Sequence, residues 1–381
     1  MRKAIWLAGV MTLACLSITS AKTEAPAAPA EQPTIEFPSD EAIRSTIGHY
    51  IAKGEVNAVV VGLLEPNGTR RIVGVGPAGP EAGEVGPDSL FELGSINKTF
   101  TATVLADMVR RGEVKLDDPV AKYLPAAVKV PSRNGKQITL RQLATHTSGL
   151  PRSPGGFTPP DMQNPYADYH EKDLYAFLST HELERDPGEK SVYSNLGAGL
   201  LGHALMRAAK ARDFPSLVTE RILKPLRMTA THYGLDPKLV PGYDRGGRPT
   251  KPWTVSVLAG AGGLNSSARD MLAYIDANVG PARSPIEVSM RLAHQPNSLG
   301  YGASRVSGLG WGIRQKDGRT ILHHSGGTGG YRAFIAMEPA ASRGVIVMTN
   351  RSQFAGADNI AIDLMFPPES AKAPATAREG K

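Results

Sequence analysis

Groups of β-rich segments near both ends of the chain constrain the fold more than any other feature of the sequence. Two such segments, residues 57–65 and 70–75, flank the hairpin signal Pro-Asn-Gly at 66–68. Four more occur within residues 311–349. The simplest arrangement that pairs all of them is one mixed, mostly antiparallel sheet built from both chain ends. We therefore expect an α+β fold of the α/β-sandwich type, with helices flanking the sheet and a mainly helical region inserted between its halves.

The first 38 residues have the features of an export signal and a spacer. Two basic residues precede an apolar run over residues 4–16, and small residues follow, which predicts a signal peptide at 1–21 and a periplasmic or secreted protein. Residues 22–38 are rich in Ala, Pro and Glu, as expected of a flexible spacer. The remaining sequence predicts one folded domain at 39–366 and a loose tail at 367–381.

The only cysteine, Cys15, lies inside the predicted signal peptide. After cleavage the protein would therefore use neither a thiolate nor a disulfide. Thr12-Leu-Ala-Cys15 also resembles a lipoprotein cleavage site, so a lipid anchor is the alternative to simple cleavage. The apolar run is too short for a stable membrane span.

Composition excludes two broad classes of protein. With 381 residues, of which 41% are hydrophobic and 21% charged, the chain can bury a large core and is not intrinsically disordered. The formal net charge of +7 is spread along the sequence, and no run of Lys and Arg alternates with aromatic residues. We therefore expect no binding of nucleic acid. We also expect a monomer.

A candidate nucleophile stands at the start of a predicted helix. Apolar residues recur at helical spacing from Ser95 to Gly112, and Lys98 shares a helix face with Ser95. A serine hydroxyl is a weak nucleophile until a base removes its proton, and a lysine at i+3 can reach it if burial keeps that lysine neutral. The alternative is a helix-capping serine followed by a surface lysine.

Two later motifs could complete such a site. Tyr193-Ser-Asn195 directly precedes an apolar helical segment, where it could equally serve capping and packing. A glycine-rich stretch at 323–330 lies between two predicted strands, and its glycines would let a strand edge approach a peptide-like substrate. His146 lies near the end of a short predicted helix that Gly149 and Pro151 terminate, and it is interpreted as structural, with its ring satisfying backbone carbonyls.

Three loops are also predicted. Residues 152–170 are dense in Pro, Gly, Asp and Asn and could form a wall of a cleft. Residues 262–270 are interpreted as a structural loop that enters a helix, with Ser267 and Asp270 spaced as a capping box. Residues 279–305 are predicted to be a second loop near the cleft.

Taken in order, the motifs Ser-x-x-Lys, Tyr-Ser-Asn and His-Ser-Gly resemble those of the penicillin-recognising serine hydrolases. This family contains class C β-lactamases, AmpH-like D-alanyl-D-alanine carboxypeptidase-endopeptidases and related esterases, and the resemblance covers most of residues 40–365. It implies that Ser95 is the nucleophile and Lys98 its proton acceptor or modulator. Tyr193 would be the base that helps to activate Ser95 and later the deacylating water. The resemblance implies no metal or organic cofactor.

The same resemblance assigns the substrate-binding residues. Asn195 would hold the amide side chain of the substrate, and the amides of Ser95 and Gly327 would form the oxyanion hole. The third motif, His324-Ser325-Gly326, usually begins with lysine, whose permanent charge can bind a carboxylate, whereas a histidine is largely neutral at pH 7. Some DD-peptidases of the family have His-Thr-Gly at this point, so substrates with a carboxylate are compatible with this motif.

Three functions follow from these features. The first is an exported acyl-enzyme hydrolase of β-lactams, of D-alanyl-D-alanine peptides of the cell wall, or of both; fast deacylation defines a β-lactamase and slow deacylation a penicillin-binding peptidase. The second is a carboxylesterase on the same scaffold, which His324 favours. The third is a non-catalytic cell-wall binding module.

Overall fold

Strands from both ends of the chain form the central sheet. The computed structural model describes residues 36–299 and 306–367. Within them the strands are β1 (Val59–Leu64), β2 (Arg70–Val75), β3 (Phe91–Glu92), β4 (Ser132–Arg133), β5 (Lys136–Gln137), β6 (His232–Tyr233), β7 (Leu264–Ser266), β8 (Ser298–Leu299), β9 (Val306–Ser307), β10 (Gly312–Lys316), β11 (Arg319–Gly327), β12 (Arg332–Glu338) and β13 (Arg343–Thr349).

The large sheet has the strand order β2-β1-β13-β12-β11-β10-β9-β8. The join between the two chain ends is the antiparallel pair β1 and β13, in which Val59 lies opposite Thr349. All the neighbouring strands of this sheet that the structure describes run antiparallel. The predicted hairpin and the predicted closure of one sheet from both chain ends are therefore confirmed.

The described helices lie on both faces of this sheet and in the region inserted between its two halves. They are α1 (Asp40–Ala52), α2 (Asn97–Arg110), α3 (Leu140–Ala144), α4 (Glu171–Thr180), α5 (Asn195–Ala208), α6 (Phe214–Val218), α7 (Ala268–Val279), α8 (Pro285–His294) and α9 (Gly356–Met365), with single turns of other helix types at Gly94–Ile96, Val120–Tyr123, Thr219–Leu223 and Pro339–Ala341.

Strand β1 shows why the protein needs helices on both faces. All six of its residues are buried. Val60 and Leu64 point into a core shared with α2, α5 and α7, while Val59, Val61 and Leu63 point into a second core shared with α1 and α9. Because successive side chains of a strand alternate between faces, a strand buried on both sides is apolar throughout. The expected sandwich is confirmed.

The helical region between the two halves of the sheet contains α3 to α6. Helix α5 packs against α2 and α3, and α2 is buried over nearly its whole length. This packing brings the start of α5, the start of α2 and the end of β11 together. The short strands β3, β7 and β6 form a separate small sheet beside this junction.

Two predictions about elements are wrong. Residues 279–305 were expected to form a loop, but 285–294 form helix α8, with Pro285 in its first turn and Ile286, Met290 and Ala293 buried at helical spacing. The short helix expected to run to Gly149 ends at Ala144. It stops there because His146 already has a left-handed backbone, with φ 60°.

Several predictions concern residues that the structure does not describe. The signal peptide, Cys15, most of the spacer and the tail from residue 368 lie outside the described ranges. Phe37, near the expected end of the spacer, is buried among α1, α9 and the sheet. In the described part of the chain, no helix has the length and apolar character needed to cross a membrane.

Candidate active site

Ser95 lies on a single helical turn, Gly94–Ile96, that leads directly into α2. Gly94 has φ 51°, and a Cβ atom placed on it would lie 2.5 Å from the backbone nitrogen of Gly327. Only glycine allows this conformation and this close approach together. The turn that contains Ser95 is therefore pressed, backbone to backbone, against the end of β11.

Lys98 is buried, with 3% of its surface exposed, one helical turn after Ser95. Its Nζ atom lies 2.9 Å from Ser95 Oγ, 2.9 Å from Asn195 Oδ1 and 2.8 Å from the carbonyl oxygen of Ala261. Burial, with a smaller contribution from the charge of Arg152, holds the Lys98 pKa well below its usual value. The alternative of a capping serine followed by a surface lysine is wrong.

The contacts of Lys98 indicate where its protons lie. The Ala261 carbonyl can only accept, and Asn195 presents its amide oxygen to Nζ while its Nδ2 donates to the Tyr166 hydroxyl at 3.3 Å. A neutral amine has two N–H groups, which these two oxygens would satisfy, and one lone pair. That lone pair is left for the hydroxyl of Ser95. The geometry therefore suits a neutral lysine that accepts the serine proton.

Tyr193 lies beside this pair. The centre of its ring is 5.0 Å from Lys98 Nζ and 5.1 Å from the guanidinium carbon of Arg152. Burial raises the pKa of Tyr193 to about 12, and a hydrogen bond with Ser95 opposes part of this rise. The phenol therefore keeps its proton at neutral pH and is placed to donate it near Ser95 Oγ.

His146, interpreted from the sequence as structural, packs against the Tyr193 ring with 4.4 Å between ring centres. Its Nδ1 accepts the backbone N–H of Ser194 at 3.2 Å, rather than donating to a carbonyl as expected. The proton of the neutral ring is therefore on Nε2. Burial lowers the pKa of His146 well below its usual value, so the ring is uncharged. This residue supports the tyrosine, a contact that no local sequence signal indicates.

His324 lies on β11, 6.3 Å from Tyr193 between ring centres, with 3% of its surface exposed. Its Nδ1 lies 2.7 Å from the Ser325 carbonyl oxygen, which can only accept, so Nδ1 has the proton. Its Nε2 is buried and has no hydrogen-bond partner among the described residues. Burial lowers the pKa of His324 to about 3. The third motif thus supplies no positive charge at neutral pH.

The predicted site residues lie around one cavity, but only some of them line it. Ser95, Asn195 and Gly327 line it. Lys98, Tyr193 and His324 are grouped with them through the contacts described above. Ser325 and Gly326 are not lining residues: Ser325 is paired with Phe334 of β12, and Gly326 packs so closely on Leu93 that a Cβ there would lie 1.9 Å from its carbonyl oxygen.

Side chains that the sequence did not single out complete the cavity wall. Arg152 and Tyr166 line it, which confirms that the loop at 152–170 walls a cleft. Ala261, Gly262 and Gly263 line the opposite part, and the Ala261 carbonyl binds Lys98. The stretch interpreted as structural at 262–270 therefore also shapes the site. Ser267 caps α7 by accepting the Asp270 amide, whereas the Asp270 carboxylate accepts from Ala230 and Thr231, so only half of the predicted capping box forms.

Glu92 is hydrogen-bonded to two separate segments of the cavity wall. Its Oε2 accepts the Thr328 hydroxyl at 2.6 Å, and its Oε1 accepts the backbone N–H of Trp253. Thr328 and Trp253 both line the cavity. Burial raises the pKa of Glu92 to about 7. In residues 36–299 and 306–367, no group of three or more His, Cys, Asp or Glu side chains is placed to hold a metal ion.

Comparison with known proteins agrees with this geometry. The family model described as Beta-lactamase matches residues 43–366. The chain is 32% identical, over 70% of its length and 72% of the relative, to the D-alanyl-D-alanine-carboxypeptidase/endopeptidase AmpH of Escherichia coli K12. It is 25% identical to a beta-lactamase of Pseudomonas fluorescens, over 82% of this chain and 93% of that one.

Solved structures show the same fold. A beta-lactamase/D-alanine carboxypeptidase from Yersinia pestis superposes with a TM-score of 0.71 at 27% identity, covering 86% of this chain and all of that one. A class C beta-lactamase mutant superposes with a TM-score of 0.73 at 22% identity, over 85% and 96% of the two chains. Because both the family match and the relatives extend over most of its length, this chain belongs to the beta-lactamase family and is a serine hydrolase.

Proposed function

We propose that this protein is an exported acyl-enzyme hydrolase that acts on β-lactams, on D-alanyl-D-alanine peptides, or on both, with Ser95 as its nucleophile. The observation that supports this most is the 2.9 Å contact between Ser95 Oγ and the buried Lys98 Nζ, whose other two contacts suit a neutral amine. The relatives named carboxypeptidase/endopeptidase and beta-lactamase support the two substrate classes.

In the proposed acylation step, Ser95 Oγ attacks the substrate carbonyl carbon while its proton moves to Lys98 Nζ. The negative charge that develops on the carbonyl oxygen is stabilised by the backbone N–H groups of Ser95 and Gly327. Tyr193 then donates its proton to the leaving nitrogen as the C–N bond breaks, and Lys98 returns a proton to Tyr193. The raised pKa of Tyr193 favours Lys98, rather than the tyrosine, as the first acceptor.

Deacylation reverses these roles. A water molecule attacks the ester carbonyl and gives its proton, through Tyr193, to Lys98. When the ester C–O bond breaks, Ser95 Oγ leaves and recovers a proton from the same pair of residues. The rate of this second half-reaction decides whether the enzyme works as a β-lactamase or as a penicillin-binding peptidase.

The decisive experiment is stopped-flow hydrolysis of a chromogenic cephalosporin, with intact-mass detection of an adduct on Ser95. Sustained turnover supports a β-lactamase. A burst of one equivalent with a persistent adduct supports a peptidase, which release of D-alanine from a D-alanyl-D-alanine peptide then confirms. Observing neither turnover nor an adduct with any carboxylate substrate would refute the proposal. Ser95→Ala is the matched control, and unchanged turnover in that variant would exclude Ser95 as the nucleophile.

A carboxylesterase is the second candidate, because the neutral His324 removes the charge that the third motif usually offers to a carboxylate. Turnover of short acyl esters without any acylation by β-lactams would select it. Export is tested by expressing the full chain and comparing the mass of the recovered protein with that expected after cleavage near residue 21.

A further inference from the structure

The cavity beside Ser95 contains one permanently cationic side chain, Arg152, among its described lining residues. Arg152 is exposed, and in residues 36–299 and 306–367 no carboxylate forms an ion pair with it. Its guanidinium carbon lies 5.1 Å from the centre of the Tyr193 ring, a distance at which a cation is attracted to an aromatic face. A fixed positive charge therefore faces the space where a substrate would lie.

The other cations near the site cannot fill this role. Lys98 is buried and already has three hydrogen-bond contacts within the protein. Arg332, which lies against Gly327, is paired through two nitrogens with the carboxylate of Asp358. His324 is buried and does not line the cavity. Arg152 is thus the side chain whose charge is available to a ligand.

The backbone of Arg152 is held firmly. Its carbonyl oxygen accepts the N–H groups of Asn195 at 2.9 Å and Leu196 at 3.2 Å, at the first turn of α5. The preceding carbonyl, of Pro151, accepts the Ser194 hydroxyl at 2.6 Å. The Tyr-Ser-Asn motif therefore positions Arg152 as well as Tyr193. A fixed backbone and the contact with the Tyr193 ring reduce the conformational freedom that the guanidinium still has to lose when it binds an anion.

We propose that Arg152 binds a carboxylate of the substrate on the Tyr193 side of the cavity and makes the enzyme select anionic acyl compounds over neutral esters. The inference rests on the proposed hydrolase function and adds the residue that sets its specificity. A β-lactam and a D-alanyl-D-alanine peptide both offer such a carboxylate, and the planar guanidinium fork matches its two oxygens.

The test compares two matched substrate pairs: benzylpenicillin with its methyl ester, and a D-alanyl-D-alanine peptide with its C-terminal amide. In Arg152→Gln, the ratio of kcat/KM for the anionic member to that for the neutral member should fall by about 10-fold to 100-fold, mainly through KM. The ratio is measured, rather than a single rate, because Arg152 also lowers the pKa of Lys98. That effect changes both members of a substrate pair equally. Arg152→Lys should keep more of the ratio than Arg152→Gln.

A control variant and a binding measurement complete the test. Arg212→Gln removes the same charge from a side chain that is 83% exposed and does not line the cavity, so its ratio should stay at the wild-type value. In a Ser95→Ala background, calorimetry with benzylpenicillin and with the peptide should show at least about 10-fold weaker binding when Arg152 is also Gln. The ligand whose affinity falls shows which carboxylate Arg152 binds, that of the β-lactam or that of the peptide.

Unchanged ratios in both pairs, or equal affinities of Ser95→Ala with and without Arg152, would overturn the inference. These outcomes differ from failure of the proposed function, which is the absence of both turnover and a Ser95 adduct in the wild-type enzyme. The binding measurement needs no turnover, so it decides the role of Arg152 in either case.

Discussion

The Thr328 hydroxyl lies 2.6 Å from Oε2 of Glu92, so a carboxyl group three residues before Ser95 is bonded to the residue that follows Gly327. The second oxygen of Glu92 accepts the backbone N–H of Trp253, on the cavity wall. Glu92 therefore holds together the segment that leads into the Ser95 turn, the end of β11 and a cavity loop. A carboxyl group that is 5% exposed and lacks a cationic partner among the described residues is easier to bury protonated than ionised.

This environment predicts a pH-dependent stability. The pKa of Glu92 is raised to about 7 from 4.5, so between these values the folded protein keeps a proton that the unfolded chain releases. Glu92 thus adds stability below about pH 4.5, and this contribution, on the order of 3 kcal/mol, is lost as pH rises to about 7. Glu92→Gln removes the charge, while its amide oxygen can accept the Trp253 N–H and its NH2 group can donate to the Thr328 hydroxyl oxygen. Urea unfolding at several pH values should show that the free energy of unfolding falls less between about pH 4.5 and 7 in this variant than in the wild type. An equal fall in both proteins would contradict the prediction.

Lys98→Ala should slow acylation of Ser95 by about two orders of magnitude or more, because it removes the proposed proton acceptor. Stopped-flow acylation measures the effect, and circular dichroism verifies that the variant is folded. Acylation near the wild-type rate would exclude this role for Lys98.

The lowered pKa of Lys98 also predicts the shape of the wild-type pH profile. An unperturbed lysine base would make acylation rise about tenfold per pH unit up to about pH 10. Since burial holds the pKa of Lys98 well below its usual value, the acylation rate should stop rising well before that pH. A tenfold rise per unit that continues to about pH 10 would show that Lys98 is charged in the free enzyme.

His146 offers a matched pair of substitutions. His146→Ala leaves the Ser194 N–H without its acceptor and should cost about 1–3 kcal/mol of unfolding free energy. Asparagine tolerates the left-handed backbone at φ 60° and has an oxygen that could accept this N–H, so His146→Asn should be more stable than His146→Ala. Both variants lose the ring that packs on Tyr193, and acylation should fall by about 10-fold to 100-fold in each. Wild-type acylation in both would show that the contact has no positioning role.

Substitutions at Gly94 and Gly112 distinguish two costs of replacing a glycine at positive φ: backbone strain and steric clash. At Gly112, with φ 74°, a new Cβ would meet nothing within 4 Å, so Gly112→Ala should cost only the left-handed strain of about 1–2 kcal/mol. Gly94→Ala adds the 2.5 Å clash with Gly327 and should cost roughly 3 kcal/mol or more while abolishing acylation. Equal losses of stability in the two variants would show that the turn can move away from β11.

The sequence predicted those parts of the protein that local patterns determine. The hairpin, the buried helix after Ser95 and the late strands each have a period or a turn signal within a few residues, and Ser95, Lys98, Tyr193 and Asn195 come together as the motifs imply. Helix α8 was missed because its Pro and Ser were interpreted as loop residues, although both suit the first turn of a helix.

What the sequence did not predict depends on contacts between distant segments. The Ala261 carbonyl acquires its role only because the chain before β7 passes over Lys98. Glu92 becomes a bridge only when β11 ends beside it, and Arg152 becomes part of the cavity only because α5 fixes its backbone. These contacts form only when the whole domain packs, so no periodicity or spacing in the local sequence predicts them.

The pairing of β1 with β13 also determines when the enzyme can first work. Ser95 and Lys98 leave the ribosome long before β11, with Gly327, and β13 follows β11. Because β1 has both faces buried and pairs with β13, the two halves of the central sheet cannot join before β13 has been made. A shorter nascent polypeptide thus holds Ser95 without the strand that lies against it, so we expect no hydrolase activity before that point of synthesis.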